Sequence, residues 1–442
     1  MTVASHLRYK PRAVRRTTLA LAAALSLHGG RALADERLAK GPWLMDLHAD
    51  SAVVMAERGS PGRLHLRAQP DAAPGADAGP PLEIDSQGRD GIYEFELRAL
   101  RPGTRYRYTV SGPGITAAEG QFATPPTTPA PFRFAIYGDT RSHESAHRAV
   151  VEALVREGPE FVIHTGDLIE DGRNPLLWQQ FFEIEAPLLA RTAFVPVIGN
   201  HEIVHPRTSG IDNYRRYVHV SPDGPSPELD ATFQYGNVRF VLANSYDDWS
   251  GPARDWLSTQ LATARREDPT GWLIVVMHWG PRSSGPHGDN ERLLSSGVEA
   301  IMRRHRVDLC ISGHDHLYER GDDDGLRYIV SGGGGAPLYE RDAHRAMTRR
   351  FVSEHHYLRA EVDPERIRFT VLRPDGSEIE RVSLGRDGWS DPRPGAPAPD
   401  AGATPRPVTP PEAPYDPKPL VKVLPLLAAV ALGAWWLKRQ QR

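Results

Sequence analysis

The sequence predicts an α/β domain preceded by a small all-β sandwich. Three observations carry that expectation. Between residues 38 and 126, short alternating segments are separated by turn-formers. From 130 onward, apolar strands alternate with amphipathic helical stretches. Five of those strands, at 134–141, 161–172, 195–202, 273–281 and 309–320, run into a residue able to bind a metal ion.

The chain has 442 residues, enough for two or three domains. With 40% hydrophobic and 25% charged residues it has the composition of an ordinary globular protein. A net charge of −3 leaves no basic excess for counterion release from a nucleic-acid backbone, which argues against dedicated nucleic-acid binding. Cys310, the single cysteine, lies in an apolar strand as a small buried hydrophobe and can form no internal disulfide.

Residues 1–34 have the layout of a secretory signal peptide. Arg8, Lys10, Arg12, Arg15 and Arg16 precede the apolar run 19–27, and Ala32-Leu33-Ala34 supplies a small-x-small cleavage site. Arg15-Arg16 ahead of Thr17-Thr18-Leu19 also hints at a twin-arginine export signal. Residues 35–126 follow as the β-sandwich, with strands expected at 52–56, 63–67, 91–97, 104–110 and 119–124. Arg101-Pro102-Gly103 and Gly112-Pro113-Gly114 are its turns, and 68–81 is expected to be a flexible loop rich in Pro, Gly, Ala and Asp. The run L-R-P-G-T-R-Y-R-Y-T-V at 100–110 resembles a late strand of a fibronectin type III domain. No catalytic constellation falls here, so packing or positioning is the expected role.

Prolines at 125, 126 and 129 break the chain before a second domain, 130–388. Val150, Val151, Leu154 and Val155 form the apolar face of a first helix. Leu177, Trp178, Phe181, Phe182, Leu188 and Leu189 form that of a second, capped by Asn174 with Pro175 in its first turn. Trp256, Leu257 and Leu261 mark a third helix, and Leu294, Val298, Ile301 and Met302 a fourth. A hairpin is expected over 232–244 around Gly236-Asn237, and 357–384 reads as strands without a helix. The acidic run Asp322-Asp323-Asp324, between glycines, is most simply a solvated hairpin tip.

Within this domain the run H-T-G-D-L-I-E-D-G at 164–172 follows Phe161-Val162-Ile163, a buried strand delivering Asp167 to its C-terminal edge. The other four stretches repeat the design and offer Asp139, Asn200, His278, His314 and His316. Carboxylate, amide oxygen and imidazole together are the mixture preferred by Zn, Mn and Fe ions.

Taken in order, G-D-T-R, G-D-L-I-E-D-G, G-N-H-E, V-M-H-W-G-P and G-H-D-H-L-Y-E-R resemble the calcineurin-like metallophosphoesterase superfamily, and the last block its purple acid phosphatase branch. The resemblance covers roughly 131–384. It implies a four-layer α/β/β/α metallophosphoesterase sandwich, often preceded by a fibronectin III-like domain, and two metal ions bridged by Asp167. Asn200, His278 and His314 would complete one site; Asp139 and His316 would hold the other. Paired cations neutralise phosphate oxygens and hold a deprotonated water, which answers the charge repulsion that makes phosphoester hydrolysis slow.

The second site departs from the family pattern. Arg141 stands where the general family has a histidine ligand, and Glu170 where the purple branch has a tyrosine ligand. Glu170 or Asp171 would substitute, or water would fill the place; without the tyrosinate no purple charge-transfer colour is expected. Arg141 reads either as a strand-end surface residue or as a fork for phosphate oxygens. His201 sits where the family has a histidine that contacts phosphate and can protonate the leaving oxygen. His287, in S-S-G-P-H-G, is a candidate substrate contact or an exposed loop residue. The glycines at 332–335 either allow close backbone approach or form a plain tight loop.

Residues 389–419 form a Pro-rich linker, with eleven prolines from 392 to 419 and too few apolar groups to fold. The apolar segment 420–437, about 27 Å long as a helix, is followed by the basic tail 438–442 and is expected to anchor the chain in a membrane with the folded domains outside. A cleaved sorting tail is the other reading. The expected activity is an exported binuclear phosphomonoesterase acting on a small phosphoester. The alternatives are a phosphodiesterase or nucleotidase of the same fold, or a surface binding module with a structural metal centre.

Overall fold

The computed structural model describes residues 36–71, 79–128, 130–203, 209–220, 224–226 and 228–390. The export segment and the C-terminal apolar run expected from the sequence lie outside these residues, as does the expected linker from 391 on; its first two residues, Trp389 and Ser390, instead belong to the last strand, Gly388–Ser390, paired with Ser383 and Leu384. Among the described residues no helix is long and apolar enough to cross a membrane.

The N-terminal strands are β1 (Lys40–Met45), β2 (Ser51–Glu57), β3 (Leu64–Pro70), β4 (Leu82–Ser86), β5 (Ile92–Arg98), β6 (Arg105–Gly112) and β7 (Ile115–Ala123). They form two antiparallel sheets, β1-β2-β5 and β4-β3-β6-β7. In β5 and β6 the burial alternates along the strand, with Phe95, Leu97, Tyr106, Tyr108 and Val110 inside and charged neighbours outside. Five of these strands match the sequence expectation. β1 and β4 escaped it, and β3 runs on through Pro70, into the stretch expected to be a loop.

The remaining elements are β8 (Phe132–Tyr137), α1 (Glu144–Glu157), β9 (Phe161–His164), α2 (Pro175–Leu189), β10 (Ala193–Pro196), α3 (Asn200–Ile203), α4 (Ser209–Tyr217), β11 (Ala231–Tyr235), β12 (Val238–Leu242), α5 (Pro252–Glu267), β13 (Trp272–Val276), α6 (Glu291–Ser295), α7 (Val298–Arg304), β14 (Leu309–Ser312), β15 (Tyr318–Asp323), β16 (Leu326–Ser331), β17 (Thr348–Val352), β18 (Tyr357–Val362), β19 (Arg366–Leu372), β20 (Glu378–Gly385) and β21 (Gly388–Ser390). They build two seven-stranded mixed sheets, in the orders β10-β9-β8-β18-β19-β20-β21 and β11-β12-β13-β14-β16-β15-β17.

Aromatic side chains join the two sheets. The Phe134 and Phe240 rings meet edge-on at 5.4 Å, and Phe161 touches Phe233 at 5.6 Å and Tyr235 at 4.9 Å. Helices α5 and α7 cover the second sheet, burying Leu257, Leu261, Val298 and Met302 against Val275, Cys310 and Tyr328. Parallel β12, β13, β14 and β16 have apolar residues on both faces because both faces are covered.

Packing divides the described residues into two units: those up to 128 with 178–194, and those of 130–177 with 195–390. Most of α2 therefore groups with the N-terminal strands, although the sequence placed its apolar stripe in the core of the 130–388 domain. Trp43 meets Phe182 at 4.6 Å between ring centroids, and Tyr108 Oη donates to the Ala190 carbonyl at 2.9 Å. An apolar stripe says that a face is buried but not against what.

Three further expectations are corrected. The fourth helix is two, α6 and α7, because Gly297 takes a left-handed φ of 79° between them. Val155, assigned to the buried face of α1, is 37% exposed. The tip at 322–324 does turn the β15–β16 hairpin, but Asp323 is not merely solvated: Arg282 Nε donates to it at 2.9 Å.

Candidate metal centre

Most of the metal-capable residues foreseen in the sequence converge at the C-terminal ends of β8, β9, β13 and β14. Asp139 follows β8, Asp167 follows β9, His278 follows β13, and His314 and His316 follow β14. Asn200 and His201 open α3 after β10. Parallel pairing aligns the carboxyl edges of β8 with β9 in one sheet and of β13 with β14 in the other, and the packing of the two sheets brings the two pairs together.

In each of two groups, Asp167–His278–His314 and Asp139–Asp167–His316, the ligand atoms lie within 4.8 Å of one another. Asp167 belongs to both. Its Oδ1 lies 3.3 Å from His278 Nε2, and that nitrogen lies 3.2 Å from His314 Nδ1 and 3.1 Å from Asn200 Oδ1. Asn200 Oδ1 therefore joins the first group. His316 Nε2 lies 3.7 Å from Asp139 Oδ1 in the second.

The surroundings fit these atoms to cations. His278 Nδ1 donates to the Thr165 carbonyl at 2.7 Å and His316 Nδ1 to the Pro337 carbonyl at 2.6 Å, so both Nε2 atoms face inward. Asp139, Asp167 and His314 hold left-handed backbone conformations, with φ of 56°, 53° and 72°. Such strain is kept only where the surroundings over-determine it. Gly199 must be small, since a Cβ there would lie 2.1 Å from Asp167 Oδ1. The residues fit a pair of metal ions, with four protein ligands on one side and three on the other.

Electrostatics agree. Burial raises Asp139 well above the ordinary carboxylate range, with Asp167 adding repulsion against the pull of His278 and Arg141. Asp167 is held well below that range: burial opposes ionisation, but His278, His201 and Arg141 outweigh it. Burial lowers His278, yet Asp167 and Asp139 prevail and push it up to about 9. His314 and His316 are driven far down, by burial first and by neighbouring cationic groups second. His314 and His316 are thus held in the neutral form that can ligate a cation, and a bound cation would take the place of the protons that Asp139 and His278 favour.

His201 Nδ1 bonds the Glu170 carbonyl at 2.7 Å, leaving Nε2 3.8 Å from Asp167 Oδ2 at the open side of the centre. The His287 and His314 rings lie 4.1 Å apart. His287 is therefore beside the centre and not a free loop residue. Glu170 is not brought into either ligand group. Its carboxylate pairs with Arg141 Nη1 at 2.6 Å and accepts from Ser142 Oγ. Asp171 likewise serves Arg173, at 2.7 Å.

Four residues near the centre escaped the sequence reading. Glu202, fully buried, accepts from the backbone N–H of Asp167, Leu168, Ile169 and Gly199 at 2.8–3.3 Å. Burial and Asp167 push it up to about 7 while these N–H groups pull it back. Asp315, between two ligands in G-H-D-H, accepts from His287 Nδ1 at 2.8 Å and from Ser283 Oγ. Tyr246 Oη donates to Asn200 Oδ1 at 3.0 Å, and Tyr339 stacks on His316 at 4.1 Å. Glu202 and Asp315 left a trace in the sequence, as letters of G-N-H-E and G-H-D-H, whereas Tyr246 and Tyr339 left none.

Residues 132–318 match the family model described as calcineurin-like phosphoesterase. The chain is 29% identical over 262 residues to probable purple acid phosphatase 20 of Arabidopsis thaliana, a match covering 55% of this chain and 60% of that one. It thus spans less than two thirds of that relative. The fold resembles the solved purple acid phosphatase from yellow lupin seeds (TM-score 0.66, 18% identity, 78% of this chain and 74% of that one). It also resembles the solved structure of PhoD (TM-score 0.64, 13% identity, 81% and 92%).

Proposed function

We propose, for a chain whose residues 132–318 belong to the calcineurin-like phosphoesterases in their purple acid phosphatase-like branch, that it is a binuclear metal-dependent hydrolase of phosphate monoesters. The observation that carries the reading is Asp167, shared by the two ligand groups. Asp167, Asn200, His278 and His314 would hold one ion, and Asp139, Asp167 and His316 the other. Such a pair, when bound, neutralises phosphate oxygens and supplies a nucleophilic hydroxide. Fe, Zn and Mn all suit this donor set.

The chain's own residues do the rest. Thr165 and Pro337 fix the His278 and His316 rings through their carbonyls. His201, its Nδ1 tied to the Glu170 carbonyl, turns Nε2 toward the Asp167 carboxylate, where a leaving oxygen would need a proton. His287, anchored by Asp315, borders the same space. His201→Ala is expected to lower kcat on an alkyl phosphomonoester about 100-fold and to cost far less on an aryl ester, whose leaving group needs no proton. Equal loss on both esters would remove His201 from the proton-transfer role. Faster hydrolysis of a diester than of the matched monoester would favour a phosphodiesterase.

The proposal also puts the enzyme outside the cell membrane. The basic-then-apolar start, the Pro-rich stretch at 389–419 and the apolar run at 420–437 support export and C-terminal anchoring. The 3 + 4 division of the N-terminal strands supports a fibronectin III-like module ahead of the catalytic domain. Protease added to intact cells should release the folded domains from the membrane fraction. Full protection until lysis would contradict this placement.

A further inference from the structure

Arg141 is nearly buried, with 6% of its side chain exposed. It lies against the ligand group with three protein ligands, not four. Its Nη1 is engaged by Glu170 at 2.6 Å and, more weakly, by Ser142 Oγ at 3.3 Å. Its Nε has no hydrogen-bond partner among the described residues. That atom faces Asp167 Oδ2 at 3.6 Å, too far for a hydrogen bond. A buried, unmatched N–H on a fixed cation, beside a carboxylate destined for metals, is a donor waiting for an anion.

A guanidinium has no lone pair to offer a metal. The group Asp139–Asp167–His316 is therefore short of a ligand and also lies next to a permanent positive charge, with Glu170 as that charge's counter-ion. We propose that Arg141 is the phosphate-gripping residue of this centre, so that phosphate and the second metal ion bind it cooperatively. A phosphate held by Arg141 Nε places negative charge between the guanidinium and the second cation. Each then strengthens the binding of the other, and by linkage the effect is reciprocal. Asp167 orients this contact only through its charge, while Glu170 and Ser142 fix the fork. The inference rests on the phosphoester reading for the identity of the anion, but it does not need turnover.

The test titrates inorganic phosphate into full-length, Mn-loaded protein by calorimetry, and titrates a chelator with and without phosphate while metal content is counted. In the wild type, one ion should leave first, and phosphate should raise the chelator concentration needed to remove it about tenfold. Arg141→Ala should weaken phosphate binding about 10- to 100-fold, as expected for a lost charge-assisted hydrogen bond, and erase the phosphate effect on metal retention. Arg141→His, which puts a ligand nitrogen where the guanidinium stood, should hold the second ion more tightly than wild type while binding phosphate weakly. Phosphate binding unchanged in both variants, or a second ion lost more readily from Arg141→His than from wild type, would overturn the proposal. A protein that binds metals and phosphate as described but hydrolyses no phosphoester leaves this inference standing and removes the hydrolase reading.

Discussion

Asp167→Asn is expected to reduce the metal content from about two ions per chain to one or none and to lower turnover by roughly a thousandfold. The side chain keeps its size, so the β9 edge and its left-handed backbone can survive. What disappears is the only group common to both ligand sets among the described residues, together with its charge. His278 owes its upward shift to Asp167 and Asp139, so losing Asp167 also unbalances the imidazole that completes the first set. Arg141, His201 and His278 all face this carboxylate and would be left as clustered cations or donors without their anion. The loss of several kcal/mol of charge stabilisation, at about 1.4 kcal/mol per tenfold, gives the size of the effect. Metal analysis and steady-state kinetics on the purified variant read it directly. Retention of both ions with near-normal turnover would mean that the bridge lies elsewhere.

Glu202→Ala should be the most damaging change that touches no metal or substrate. The Glu202 carboxylate accepts four backbone N–H bonds from the loops after β9 and β10. Removing it leaves those donors buried without acceptors, each worth about 1–3 kcal/mol before relaxation. Repulsion between Glu202 and Asp167, which helps push Glu202 up to about 7, is relieved at the same time and offsets part of the loss. The net expectation is a loss of roughly 3–5 kcal/mol, a fall in Tm on the order of 10 °C, and lowered metal retention because Asp167 is no longer held. Scanning calorimetry in the presence and absence of Mn²⁺ checks it. A Tm within a degree or two of wild type would show that water or another group can replace the carboxylate.

The ligand set was legible because it obeys local rules. Asp139, Asp167, His278 and His314 each follow an apolar β-run, and the chain can mark a strand end with no knowledge of its neighbours. What the sequence could not show was set by tertiary pairing. β18 lies beside β8 across more than 200 residues of chain, completing the first sheet. Asp315 reads as a spacer between two histidines until Ser283 and His287 arrive from a loop about 30 residues earlier. Glu170 looked like a spare ligand because its spacing from Asp167 was right; the buried guanidinium of Arg141 claims it instead. The α6–α7 break turned on one backbone angle at Gly297, which a helical period passes over. The partner of α2 was likewise invisible, since its stripe would look the same against either unit.

The central claim is that two ions held around Asp167 make this chain a phosphoester hydrolase. The most direct measurement follows turnover of an aryl phosphomonoester by the full-length protein as metal is restored to the chelated form, with bound metal counted at each step. The account predicts little turnover at one ion per chain and a steep rise as the second is bound, levelling near two. Full turnover in the chelated protein, or a maximum reached at a single ion, would contradict it.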